Sequence, residues 1–151
     1  MKTLFTASQF TPTAYDSAEQ KAKFATQFVR FVEADFKRTL FPKWFYKALS
    51  CTFGHIAHYD QNGFYHTWFR DTRAKLAFLD RTLEFPRYGD PKFTYSDVET
   101  VLARWVAESK KADYYRGRLA SETEAAERAE LARLTFKYQN PDGTTKPVGS
   151  V

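Results

Sequence analysis

The stretch Ser17-Ala-Glu-Gln-Lys-Ala-Lys-Phe-Ala-Thr-Gln-Phe-Val-Arg-Phe-Val-Glu-Ala-Asp-Phe-Lys-Arg-Thr-Leu40 decides the fold class. Ser17 followed by Gln20 is a capping box, in which each side chain satisfies a free backbone donor of the first helical turn. Phe24, Phe28, Phe31, Val32, Phe36 and Leu40 then recur at spacings of three and four, which lays one apolar stripe along a helix. The spacing predicts a helix over residues 17–40, stopped by Pro42, whose missing N–H suits the first turn of the next helix.

Working toward the C-terminus, Trp44, Phe45, Ala48, Leu49 and Phe53 predict a second helix over 42–60, with Gly54 as its weak point. Asn62-Gly63 is a strong turn signal. A hairpin between 55–60 and 64–69 is one solution, but the flanks do not alternate, so a helix C-cap at Gly63 is preferred. Tyr65, Trp68, Thr72, Leu76, Leu79 and Leu83 predict a third helix over 64–84, and Pro86, Gly89 and Pro91 mark a loop. Ser96 and Glu99 match another capping-box pattern, which predicts a helix to about Tyr115 that Gly117 interrupts. Ser121 and Glu124 open a last one, to about Phe136. From residue 139 the chain loses apolar periodicity and reads as a flexible tail. Toward the N-terminus, residues 1–15 have weak strand character around Lys2 to Thr6, broken by Pro12. The expectation is a mostly α fold, one compact domain of about five helices over 1–138. It has room for a small N-terminal strand or hairpin, and residues 139–151 form a disordered tail.

The composition excludes whole classes. At 151 residues the chain is long enough to bury one core without staples. Its one cysteine cannot form an internal disulfide. No apolar run is long enough for a membrane helix or a secretory leader. The chain therefore reads as a complete small cytoplasmic protein with no membrane partner. The six glycines are scattered, so no phosphate-cradling loop, dinucleotide fingerprint or nucleophile elbow is present, and no cofactor is expected.

The net charge of +5 is carried by the first half of the chain. Residues 36–75 hold Lys37, Arg38, Lys43, Lys47, Arg70, Arg73 and Lys75 against Asp60 and Asp71, interleaved with eleven aromatic rings. Cations neutralise phosphates and release counterions, and rings stack on unpaired bases, so this pattern points to a nucleic-acid surface. The competing reading puts the rings in the core and leaves the lysines on a solvated face. Tyr114, Tyr115, Arg116 and Arg118 form a second candidate patch of the residue types that dominate protein interfaces. The candidate binding residues are Lys37, Arg38, Lys43, Trp44, Lys47, Arg70, Arg73, Lys75, Tyr114, Tyr115, Arg116 and Arg118.

Cys51, His55 and His58 stand at i, i+4, i+7, one face if the segment is helical, and His66 follows on the next element. The set is chemically competent for zinc, but its spacing matches no common zinc motif. A histidine base accompanied by Tyr59, Asp60 or Tyr65 is the catalytic variant. The leading expectation is a small non-enzymatic binding protein for nucleic acid or for a nucleoprotein or protein complex that handles it. Compact chains without catalytic motifs are common among phage and plasmid accessory proteins, including inhibitors of host defence of the anti-CRISPR type. The alternative is a His-dependent or metal-dependent enzyme using His55, His58 and His66.

Overall fold

The computed structural model describes residues 4–55, 60–87 and 89–139. Among them are six α-helices and no strand: α1 (Ala18–Glu33), α2 (Lys43–Ser50), α3 (Gln61–Phe69), α4 (Thr72–Glu84), α5 (Ser96–Ser109) and α6 (Lys111–Gln139). Short 3-10 turns lie at Ala7–Gln9 and Arg38–Leu40. The mostly α reading therefore holds. Of the predicted N-terminal strand, residues 1–3 lie outside the description, and Phe5 and Thr6 lead into the first 3-10 turn. The predicted tail also lies outside it, apart from Gln139, which ends α6.

The capping box forms as predicted. Gln20 N–H donates to Ser17 Oγ (3.1 Å), and Ser17 N–H to Gln20 Oε1 (2.6 Å). The helix does not reach residue 40, however. Asp35 and Phe36 both take the left-handed conformation, at φ 57° and 59°. Asp35 N–H then closes onto Val32 O (3.0 Å) and Phe36 N–H onto Phe31 O (2.8 Å). This pair of bonds satisfies the last carbonyls of α1, and the apolar contact that accompanies it is Phe31 against Phe36, centroids 5.2 Å apart. Glycine usually fills such a stop, because a side chain there costs roughly 1–2 kcal/mol. Here Asp35 is held by its side chain, which accepts from Tyr115 Oη (2.5 Å) and from Lys75 Nζ (3.2 Å).

Three more boundaries depart from the periodicity. α2 stops at Ser50 instead of 60, because Phe53 and Gly54 are left-handed, at φ 56° and 70°. The helix predicted over 64–84 is two. α3 starts at Gln61, capped by Asp60, which accepts from Gly63 N–H (2.7 Å), so Gly63 lies inside a first turn and is no C-cap. α4 is capped by Asp71, which accepts from Ala74 N–H (2.8 Å). Downstream, the break comes at Lys110, left-handed at φ 57°, and α6 runs unbroken through Gly117 and Ser121. An exposed helical glycine costs about 1 kcal/mol, which a long helix absorbs.

The chain forms two units, Met1–Tyr115 and Arg116–Val151. In the first, α1 packs on α2 and α5, and α4 on α3 and α5. Its core is phenylalanine. Phe24, Phe28, Phe31, Phe36, Phe41, Phe45, Phe53, Phe64 and Phe78 are each at most 1% exposed. Their rings meet edge-on or offset, as between Phe31 and Phe69 at 4.9 Å and between Phe28 and Phe78 at 5.8 Å. In the second unit, residues 116–139 of α6 bury no side chain and are laced by Arg128–Glu124 and Arg133–Glu130 pairs.

Candidate functional site

The aromatic segment divides once its rings are placed. Phe36, Phe41, Phe45, Phe53, Phe64 and Phe69 are core, which the competing reading of the sequence anticipates. Tyr65 is tied down by donating to Phe36 O (2.5 Å), and Tyr59 lies outside the described residues. Trp44, on the first turn of α2, stands out at 37% exposure.

The cations divide similarly. Lys75 is 8% exposed and Tyr115 1%, and both hold Asp35, which removes them from any open surface. Arg38 is exposed, yet its guanidinium bonds Asn62 Oδ1 (2.6 Å) and lies over the Tyr65 ring. Arg70 pairs with Asp71 at 3.5 Å, while Arg73 and Lys37 are exposed. Tyr114 is 59% exposed with Lys111 over its ring. Arg116 and Arg118 belong to the second unit, where Arg118 pairs with Glu122. Lys43 and Lys47 are exposed neighbours, one turn apart on α2 beside Trp44.

The structure adds a partner that sequence spacing does not reveal. Lys23 of α1 places Nζ 4.4 Å from the Trp44 ring centroid, a cation–π contact. Lys23 and Trp44 together border two hollows. The smaller, about 490 Å³, includes Arg30 and Thr26. The larger, about 790 Å³, runs along α2 past Lys47 and Ala48 to Cys51 and Thr52. Its other wall is Asp16, Phe85, Thr94, Tyr95 and Glu99.

That wall is built by buried polar contacts. Lys21, wholly buried, donates to Pro91 O, Thr94 O and Asp97 Oδ1, each at 2.9 Å, and so fastens the segment that carries Tyr95 onto α1. Burial and the Asp16 carboxylate, which accepts from the phenol, push Tyr95 up to about 12. Glu99 is 8% exposed, and burial raises its carboxyl above the usual range, against the pull of the Phe53 N–H and Arg87. Arg81 closes the end of α2 by donating to Phe53 O and Gly54 O, both at 2.8 Å. A Cβ on Gly54 would lie 2.7 Å from Arg81 Nη2 and 2.8 Å from the Phe85 ring. Gly54→Ala is expected to cost about 1–3 kcal/mol in urea denaturation, since it strains the backbone and displaces the Phe85 wall.

The histidine set is not assembled on one helix face. With α2 ending at Ser50, the i, i+4, i+7 premise fails: Cys51 is exposed while His55 is 2% exposed. His66 is exposed on α3, and His58 lies outside the described residues. Asp60 is occupied in capping α3. Among the described residues no three of His, Cys, Asp and Glu stand close enough to hold a metal ion. His55 instead lies against Phe78, centroids 4.8 Å apart, and donates Nδ1–H to Thr52 O (2.8 Å). Burial holds it down at about 4.

No helix among the described residues is long and apolar enough to cross a membrane. The chain matches no protein-family model, no curated protein and no solved structure.

Proposed function

We propose that this protein is a binding protein whose target is nucleic acid, engaged by the surface around Trp44. The observation that carries the reading is one exposed indole set among the three lysines Lys23, Lys43 and Lys47. Lys43 and Lys47 supply phosphate contacts, and the indole supplies a stacking platform once Lys23 swings from its face onto a phosphate. An extended or unpaired strand suits the surface better than a duplex, because a ring can stack only on a base that is out of the helix. The same basic surface suits a nucleoprotein complex, and an inhibitor of a host-defence complex encoded by a mobile element would use it to hold the complex's nucleic acid.

Fluorescence anisotropy with labelled single-stranded DNA and RNA at two salt concentrations tests the reading. Wild type is expected to bind at low salt and to weaken steeply as salt rises. Trp44→Ala is expected to weaken binding roughly ten- to hundredfold. Lys47→Ala is expected to weaken it across all sequences and to reduce the salt slope by about one. Absence of binding to any strand at low salt would overturn the proposal and leave a protein surface as the target.

A further inference from the structure

Glu99 lines the larger cleft with hydrogen-bonding capacity that the protein uses only in part. Its residue is 8% exposed, and its carboxyl receives one long hydrogen bond, 3.5 Å from Phe53 N–H, among the described residues. Its remaining acceptor sites are reached by solvent from the cleft, because neither oxygen is both buried and without a partner. A molecule entering the cleft therefore meets an acceptor that is otherwise left to water. The cleft's volume, about 790 Å³, falls in the range of small-molecule sites.

The remaining walls define the ligand. Phe85 and Tyr95 flank the Glu99 end, which calls for a flat apolar body with a hydrogen-bond donor on its edge. Lys47 and Lys23 line the cleft toward Trp44, which calls for an anionic group beyond that body. Trp44 stands on the first turn of α2 and Cys51 caps its end, a rise of about 10 Å, and Glu99 lies just past that end, 3.5 Å from Phe53 N–H, so the two ends are separated by about the reach of one nucleotide and its phosphate. We infer that the cleft receives a single unstacked base bearing an exocyclic amine, which donates to Glu99, while the attached phosphate lies against Lys47 and Lys23. This rests on the nucleic-acid reading above and sharpens it. Trp44 stacks the neighbouring base, and Glu99 makes the surface selective. Cytosine and adenine present such an amine, and uracil and thymine present a carbonyl oxygen in its place, which a carboxylate repels. The left-handed backbone at Phe53 and Gly54, held by Arg81, fixes the donor that orients Glu99.

Calorimetric titration with CMP against UMP, and with oligo(dC) against oligo(dT), tests the inference. Wild type is expected to prefer the cytosine member of each pair by roughly tenfold. Glu99→Ala is expected to erase that preference while keeping affinity for oligo(dT). It loses one long hydrogen bond to a largely buried carboxyl, so it is expected to melt close to the wild-type temperature. Glu99→Gln, which offers a donor as well as an acceptor, keeps the shape and narrows the preference. Lys47→Ala is expected to weaken CMP but not cytidine. Equal binding of the two pyrimidines by wild type, or a preference that survives in Glu99→Ala, would overturn the inference and leave the Trp44 surface as a sequence-blind binder. Failure of every strand to bind would overturn both.

Discussion

Lys21→Met is expected to lower the unfolding free energy by about 3–5 kcal/mol, the range for removing one partner of a buried ion pair. The lysine is wholly buried on α1, and all three of its N–H groups are used, on Pro91 O, Thr94 O and Asp97 Oδ1. Methionine keeps the apolar stem and removes the charge. Two carbonyls then lose their donor in a dry environment, and the Asp97 carboxylate, whose side chain is 16% exposed, loses its counter-charge. Asp97 keeps the N–H groups of Thr11 and Val98, both at 2.9 Å, so the loss is large but bounded. In urea the midpoint is expected to fall by about 1–3 M at an unchanged slope. Asp97→Asn added to Lys21→Met is expected to cost less than Asp97→Asn alone, because the partner charge is already gone. A shift below about 1 kcal/mol would mean that the 91–97 segment is held by something else. The variant also bears on the cleft, since Tyr95 lies within the segment that Lys21 fastens and Glu99 follows it by two residues.

The second large effect is acid sensitivity centred on His55. Its folded value, about 4, lies below the ordinary 6.5 because burial disfavours the cation and Arg81 adds repulsion, outweighing the Thr52 carbonyl. Between those two values the unfolded chain binds a proton that the native state refuses. Stability is therefore intact above pH 6.5 and falls by about 1.4 kcal/mol per unit as the pH drops toward 4. The total is about 3 kcal/mol. Nε2 is the atom at issue: among the described residues it has no hydrogen-bond partner, so a proton placed there finds no acceptor. Glu99 acts with the opposite sign, since its raised carboxyl takes up a proton more readily in the folded state. His55→Phe separates the two. It keeps the ring against Phe78, and Thr52 O keeps the backbone N–H of residue 55 at 3.2 Å. Urea midpoints from pH 7.5 to 4.5 are expected to fall in wild type and to stay nearly level in His55→Phe. Parallel profiles would show that the acid loss arises elsewhere.

How much of this was legible beforehand depended on whether the signal was local. The capping box of Ser17 and Gln20 and the Phe24, Phe28, Phe31 stripe are local, and both appear as read. Helix ends were not legible where an unusual residue makes them. Asp35 takes a left-handed stop that glycine normally marks, and it is held there by Lys75 and Tyr115, forty and eighty residues away in sequence. Asp60 and Asp71 are ordinary caps in hindsight. Asp60 was obscured by the turn signal of Asn62-Gly63, and Asp71 by apolar spacing that continues across the break. The candidate surface was half legible. The basic aromatic segment points to Trp44 and Lys47, but nothing in the spacing joins Lys23 to Trp44, or Glu99 to Phe53. Charge clustering also overcounted, because it could not distinguish a solvated lysine from Lys75, which is ion-paired and buried.

The proposed role of Trp44 is to meet an unpaired base. Ultraviolet cross-linking of bromodeoxyuridine-substituted single-stranded DNA, followed by mass spectrometry of the tryptic peptides, reads that contact at the residue. A nucleotide adduct is expected on the peptide 44–47, on Trp44, and is expected to disappear at high salt. Adducts confined to α6 or to other peptides, with 44–47 unmodified, would rule the contact out.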